Sequence, residues 1–343
     1  MTELRWQLAD DGGGQGALFD DVLERHVGSG EFRGMEFLHV NAKRIINELP
    51  QSSGLPFRYT INAYRGCSHA CIFCFARPTH EYLGLNAGED FERKIVVKVN
   101  AVERLRAELV PARWAGDPIA MGTNTDPYQR CEGKYRLTRG IVEVLGEAAN
   151  PFSILTKSTL ILRDLDVLIE AAARTDVHTS FSIGTLDEEV WRSSEPGTPH
   201  PRRRVEAVAK LNAAGIPCGV LVAPVLPGIS DRPDQLEAVV QACVEAGATS
   251  ISPIVLHLRP GVREQFMPWL ERAHPELLDE YRGLYPRSYA PRVVQDRVSS
   301  IVARLVAKHG GVAPTPSRER QTPRDATPKP TGSAQLSLMP PVR

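Results

Sequence analysis

Short apolar runs alternate with stretches of helical spacing between residues 37 and 310. The runs are Tyr59–Ala63, Pro118–Gly122, Phe152–Thr156, His178–Ile183, Pro217–Ala223 and Ser250–Leu256. They are rich in Ile and Val and often bounded by Gly, Pro or Asp, as strands buried on both faces of a parallel sheet should be. Between them, Leu165, Leu168, Ile169 and Ala172 mark one amphipathic helix, and Leu236, Val239, Val240 and Cys243 another. Gly215 and Gly247 fall where helix C-caps belong, just ahead of the next strand. This alternation predicts an α/β fold with a parallel sheet, either open and doubly wound or curved as a partial barrel. Both architectures gather ligands at the C-terminal ends of their strands. The segments to examine are therefore Arg65–Cys74, Thr123–Gln129, Lys157, Ser182–Thr185, Pro224–Gly228 and His257–Gly261.

The flanks read differently. Residues 1–36 are expected to form an irregular arm, broken by Gly12-Gly13-Gly14 and rich in acidic side chains. Residues 311–343 hold seven prolines and seven Ser or Thr, and are expected to be a disordered tail. The 343 residues thus divide into two arms around one domain, 37–310. With 41 basic and 41 acidic side chains, net charge makes no global case for a nucleic acid or membrane, so any polyanion must be met locally. The first residues lack the basic-then-apolar run of a signal peptide. The most apolar stretch, Ile216–Ile229, is too short for a bilayer and contains three prolines. A soluble, cytoplasmic protein is expected, with no membrane partner.

Three of the six cysteines, Cys67, Cys71 and Cys74, fall within eight residues. Three thiolates on one short loop can converge on a soft metal centre. A structural zinc usually takes four protein ligands, but Cys131, Cys218 and Cys243 are scattered, and the latter two sit in core patterns. His69 lies between two of the clustered cysteines, where ligating the same ion would strain the loop. An iron–sulfur cluster with one exchangeable position suits three cysteines better; zinc or an inert metal site is the alternative.

The spacing Cys-x3-Cys-x2-Cys, with Phe73 before the last cysteine, resembles the radical SAM superfamily. The wider wording resembles its spore photoproduct lyase-like branch: Asn62-Ala63-Tyr64-Arg65-Gly66-Cys67, Cys74-Phe75-Ala76-Arg77 and Thr125-Asp126-Pro127-Tyr128-Gln129. The likeness runs from about Glu36 to Gly310. It implies a partial (β/α)6 barrel and a [4Fe–4S] cluster on Cys67, Cys71 and Cys74. It also implies S-adenosylmethionine (SAM) chelating the unique iron through its amino and carboxylate groups. Reductive cleavage of SAM would yield methionine and a 5′-deoxyadenosyl radical that abstracts a substrate hydrogen, fed by an electron donor of flavodoxin or ferredoxin type.

By the same resemblance Phe73 stands near the adenine, Lys157 pairs with the SAM carboxylate, and Ser182 is a further polar contact. Many superfamily members carry Gly-Gly-Glu after the second strand to hold the methionine amino group; this chain has Met121-Gly122-Thr123-Asn124-Thr125-Asp126. Asn124 or backbone carbonyls would take over that contact. Asp126 either orients substrate or cofactor at the barrel mouth or starts a turn. Photoproduct lyases use a thiol as hydrogen-atom donor, placed just before the segment matching Thr123–Asp126, where this chain has Met121-Gly122. Cys131 is either a displaced donor or an ordinary loop cysteine.

Glu195 and Arg202-Arg203-Arg204 flank a proline-rich loop, which reads as a phosphate site or as a solvated helix start. His257 and Arg259 follow the last strand. Gln335–Met339, and more loosely Gln15–Phe19, resemble the peptide by which bacterial replication and repair proteins dock on the sliding clamp. With a basic tail, they make DNA and the clamp expected partners, in nucleic-acid repair or modification. A radical SAM enzyme acting on a peptide or small molecule, and a non-catalytic DNA- or clamp-associated metalloprotein, are the alternatives.

Overall fold

The six expected strands all form in a computed structural model of the chain, which describes residues 23–312 apart from 51, 52, 54 and 111–113. In chain order the described strands are β1 (Glu24–Val27), β2 (Glu36–Val40), β3 (Ile46–Glu48), β4 (Tyr59–Ile61), β5 (Tyr64–Arg65), β6 (Lys94–Lys98), β7 (Ile119–Met121), β8 (Phe152–Thr156), β9 (Val177–Ser182), β10 (Cys218–Val225) and β11 (Ile251–Val255). The expected runs correspond to β4 and to β7 through β11.

These six lie side by side in the order β4-β7-β8-β9-β10-β11, every pair parallel, with β3 antiparallel on the outer edge of β4. Parallel strands following one another in chain order, each joined to the next by helical crossovers, make the α/β layout of a partial (β/α)6 barrel. Met121, Ile154, Phe181, Val220 and Val222 are buried along it. Helices Leu137–Glu147, Leu165–Ala172, Pro201–Ala213, Pro233–Glu245 and Arg292–Lys308 supply the helical layer.

Gly215 and Gly247 take left-handed φ values of 79° and 72° immediately after two of these helices, as their positions before β10 and β11 predict. The helix stripes fare unequally. Leu236, Val239, Val240 and Cys243 are all buried. In helix Leu165–Ala172 the buried side chains are Val167, Leu168 and Ala171, while Ile169 is exposed. The reason is close packing against the preceding helix: a Cβ on Gly146 would stand 2.9 Å from that of Ala171, so the missing side chain draws Ala171 inward and rotates the stripe.

A second sheet, order β1-β2-β6-β5, was not foreseen. β2 and β6 are parallel, and β1 and β5 pair antiparallel on the two edges. Its first strand lies within 1–36, so residues 24–27 of the stretch read as an irregular arm are paired β-structure. Residues 1–22 and 313–343, with both Gln-x-x-Leu motifs, lie outside the described residues. The second sheet matters to the site because β5 ends one residue before Gly66-Cys67.

Among the described residues no helix is long and apolar enough to cross a membrane.

Candidate active site

The cysteine loop leaves β5 through Gly66, whose φ of 79° belongs to glycine. A Cβ there would meet Phe91 O at 2.8 Å, and the close approach lets Cys67 N donate to Phe91 O at 2.9 Å. Tight turns follow, with Ala70 N donating to Cys67 O (3.3 Å), Cys74 N to Cys71 O (3.2 Å) and Arg77 N to Cys74 O (3.3 Å). Arg77, itself buried, braces the far side: Nε donates to Cys71 O at 3.0 Å, NH1 to Ala87 O at 3.0 Å, and NH2 pairs with Glu92. Gly197 admits the loop from above, because a Cβ there would fall 2.2 Å from Ser68 O.

The segment Thr125–Gln129 holds this loop in place. Gln129, fully buried, donates through Nε2 to Gly66 O at 3.0 Å and accepts from Ser68 N at 3.0 Å, gripping the backbone on both sides of Cys67. Thr125 Oγ1 donates to the same Gly66 O at 2.6 Å. Asp126 accepts from Tyr128 N at 2.9 Å, closing the expected turn, and also from Thr156 Oγ1 at 2.6 Å and Lys157 N at 2.7 Å. Its Oδ2 lies 3.4 Å from His69 Nδ1. Burial alone would push the Asp126 carboxyl up, but the neighbouring His69 and the donors Thr156 and Lys157 N outweigh it, and the group titrates below the ordinary carboxylate range. Both oxygens of Asp126 are therefore engaged by the chain itself.

Lys157 follows β8 and Ser182 ends β9, and the structure brings them together: Lys157 Nζ donates to Ser182 Oγ at 2.9 Å and to Glu195 Oε1 at 2.6 Å. Nζ also stands 5.5 Å from the centroid of the Phe73 ring. The second oxygen of Glu195 takes Arg204 NH2 at 2.5 Å. Arg204 is buried and further committed to Pro199 O at 2.9 Å and Ser182 O at 3.1 Å. Burial opposes the charge on Glu195, yet Arg204 and Lys157 prevail and hold its carboxyl down at about 2. Two cations thus share one buried carboxylate, so that Lys157, Arg204 and Glu195 together carry one net positive charge. Neither sequence reading of the arginine triplet holds for Arg204, which is a buried partner; Arg202 and Arg203 are exposed.

Lys157, Ser182, Asp126 and the cysteine loop line one cavity of about 190 Å³ at the C-terminal ends of the strands. The loop's share of the lining includes Cys67, Cys71 and Cys74 and the rings of Phe73 and Phe75. Ile254, Leu256 and His257 from the end of β11 complete the wall. Behind His257, Tyr289 stacks edge-on at 4.6 Å and receives Arg259 NH2 on its hydroxyl at 2.5 Å, so Arg259 is tied to that ring.

Two sequence candidates lie elsewhere. Asn124 does not line the cavity; its backbone N–H donates to Asn62 Oδ1 at 3.0 Å. Cys131 is fully buried outside the cavity, at the start of a short helix beside Tyr64 and Glu132. Burial, followed by the nearby Glu132 charge, pushes its thiol well up. Cys131 packs in the core with Tyr64, as Cys218 and Cys243 do in theirs, and not at the cavity where a displaced donor would stand.

The donor set decides which metal group fits. Burial raises the thiols of Cys67, Cys71 and Cys74, so thiolates there call for a compensating cation. Two tetrahedral ligand sulfurs on one zinc stand roughly 3.8 Å apart, given Zn–S bonds near 2.3 Å. Among the described residues the one trio of His, Cys, Asp or Glu ligand atoms lying within 4.8 Å of one another is Glu24, His26 and His39. The sulfurs of Cys67, Cys71 and Cys74 do not all fall within that distance of one another.

Comparison with known proteins agrees. The radical SAM superfamily pattern matches residues 61–242. The chain is 46% identical over 288 residues to the uncharacterized protein Rv2578c of Mycobacterium tuberculosis, covering 84% of this chain and 85% of that protein. A protein of Pseudomonas phage M6 described as a radical SAM Nalpha-GlyT isomerase is 25% identical over 169 residues, 49% of this chain and 33% of its own length. In fold the chain is similar to spore photoproduct lyase. A mutant form of that protein with bound AdoMet and dinucleoside spore photoproduct superposes with a TM-score of 0.61 at 16% identity, over 81% of this chain and 80% of that one. With its cysteine loop, barrel strands and sequence all in agreement, the chain belongs to the radical SAM superfamily, whose members use SAM and an iron–sulfur cluster.

Proposed function

We propose that this protein is an enzyme that cleaves SAM reductively at a [4Fe–4S] cluster held by Cys67, Cys71 and Cys74, and that it acts on a nucleic-acid substrate in repair or modification. The observation that carries the first half is the convergence of the three loop thiols with Phe73, Lys157 and Ser182 on a single cavity, Lys157 being paired with Glu195. Bound together there, the cluster and SAM supply a 5′-deoxyadenosyl radical for hydrogen abstraction. The chain's own residues do the rest. Lys157, in a trio with one net positive charge, receives a carboxylate; Phe73 and Phe75 offer apolar faces to an adenine and exclude water; Asp126 and Gln129 keep the loop and the strand ends in register.

The nucleic-acid half is supported by a structural relative. Spore photoproduct lyase, which this chain resembles in fold, has been seen complexed with a dinucleoside spore photoproduct. A flavodoxin- or ferredoxin-type donor would deliver the electron. The clamp motif Gln335–Met339 would bring the enzyme to DNA, a proposal that a clamp pull-down with and without residues 330–343 tests directly.

The decisive experiment is anaerobic purification with iron and sulfide analysis, then reduction with SAM and assay for methionine and 5′-deoxyadenosine. A colourless zinc protein that leaves SAM intact would sink the proposal. Deuterated oligonucleotides then test the substrate: deuterium recovered in 5′-deoxyadenosine is the expected result, and its absence from all of them overturns the nucleic-acid half alone.

A further inference from the structure

Among the described residues, the one close-set trio of metal-type ligand atoms lies away from the active site, on the β1–β2 edge of the second sheet. Glu24 and His26 are two residues apart on β1, so they project from the same face. The antiparallel register sets His39 of β2 directly opposite Glu24. Three donors therefore come from two hydrogen-bonded strands, a rigid template rather than a loop.

The distances suit one ion. Glu24 Oε2 lies 2.9 Å from His26 Nε2 and 3.7 Å from His39 Nδ1. Bonds of roughly 2.0–2.1 Å from a tetrahedral zinc place neighbouring ligand atoms about 3.3 Å apart, a value between those two. The imidazole rings stand 4.3 Å apart, centroid to centroid. His39 is also oriented from behind. Its other nitrogen, Nε2, makes a 2.8 Å hydrogen bond with Tyr135 Oη, the outer contact that fixes a ligating histidine's tautomer and leaves the opposite nitrogen free to bind. An ordinary exposed ion pair between Glu24 and His26 accounts for the first distance only, and gives no reason for His39 to be aimed at the same oxygen.

We infer that Glu24, His26 and His39 form a second metal site, separate from the cysteine loop, that takes a zinc-type divalent cation with two imidazoles, one carboxylate and an open fourth position. The two imidazoles are borderline donors that favour zinc over magnesium or calcium, and a single carboxylate is compatible with zinc. The ion would clip β1, which has a hydrogen-bonded partner on one side only, to β2.

The test loads full-length protein, after cluster reconstitution, with zinc chloride, removes loose metal by gel filtration and counts zinc and iron by mass spectrometry. Wild type is expected to hold about one zinc per chain more than His26→Ala and Glu24→Gln, with equal iron in all three. Any zinc captured by the cysteines is common to wild type and variants and cancels in the difference, so the result does not depend on the cluster assignment. Equal zinc in wild type and both variants overturns the site, as does wild type retaining none. Zinc is further expected to protect the amides of residues 24–27 from hydrogen exchange at least tenfold in wild type and not in His26→Ala; equal protection in the two also overturns it.

Discussion

Lys157 Nζ lies 2.6 Å from Glu195 Oε1, and that carboxylate is already paired on its far oxygen with Arg204. Lys157 is thus held in position within a trio that keeps one net positive charge, and it lines the cavity. Charged hydrogen bonds contribute about 1.5–3 kcal/mol. Lys157→Met should therefore weaken SAM binding to the cluster-loaded protein at least about tenfold and leave iron content unchanged. Equilibrium binding of labelled SAM reads the effect, and an unaltered dissociation constant would remove Lys157 from the SAM site.

The same carboxylate gives a pH signature. The folded-state value of Glu195, about 2, lies below its ordinary 4.5. Its contribution is therefore present above the ordinary value and is lost as pH falls from 4.5 through about 2. That depression corresponds to about 3 kcal/mol. Denaturant melts at intervals across this window should show stability falling with acid in wild type and a shallower fall in Glu195→Gln. Parallel curves would contradict the assignment.

Gln129 grips the peptide groups flanking Cys67, so Gln129→Leu keeps the volume and removes the grip. Ser68 N then loses its partner, at a cost of about 1–3 kcal/mol. The expected readout is lower iron occupancy after reconstitution, with SAM turnover per cluster largely retained.

Cys131 has no contact with the cavity. Cys131→Ala should destabilise the fold by about 1 kcal/mol through lost burial and leave SAM cleavage and substrate turnover intact. Loss of substrate product in a folded, SAM-cleaving variant would restore the hydrogen-donor reading.

Two glycines separate backbone conformation from crowding. Gly122 and Gly215 both have positive φ, 91° and 79°. A Cβ on Gly215 meets nothing within 4 Å, whereas one on Gly122 would stand 2.0 Å from Leu155 O. Gly215→Ala should cost roughly 1–2 kcal/mol, the left-handed penalty alone. Gly122→Ala should fail to fold or lose the cavity, since β7 and β8 must part to admit it. Thermal melts of the two would distinguish these outcomes.

The barrel strands are legible in the sequence because each is a continuous apolar run between helices, and the site follows because strand ends collect ligands. The second sheet is not legible. β6 offers three apolar residues between two lysines, and its partner β2 lies more than fifty residues earlier, so no local period announces the pairing. Buried polar side chains are hidden for another reason: hydropathy scores them as surface. Arg204 did leave a trace. With Ala207, Val208 and Leu211 it completes the buried i, i+3, i+4, i+7 stripe of helix Pro201–Ala213, and an arginine on such a stripe needs a buried anion. Gln129 stood in the motif Thr125–Gln129 but its grip did not show, since Gly66 O and Ser68 N lie about sixty residues earlier in the chain.

The five residues Thr125–Gln129 fasten the cysteine loop through Gly66, Ser68 and His69, and fasten the end of β8 through Thr156 and Lys157. The places where an electron would arrive and where a carboxylate would be seated are therefore set by one short length of chain. Phe75, Ile254 and His257, which border the rest of the cavity, belong to no part of that fastening. Substitutions at those positions would reshape what enters the cavity while the cysteine loop and the end of β8 keep their spacing. One ignition geometry could thus serve many fuels.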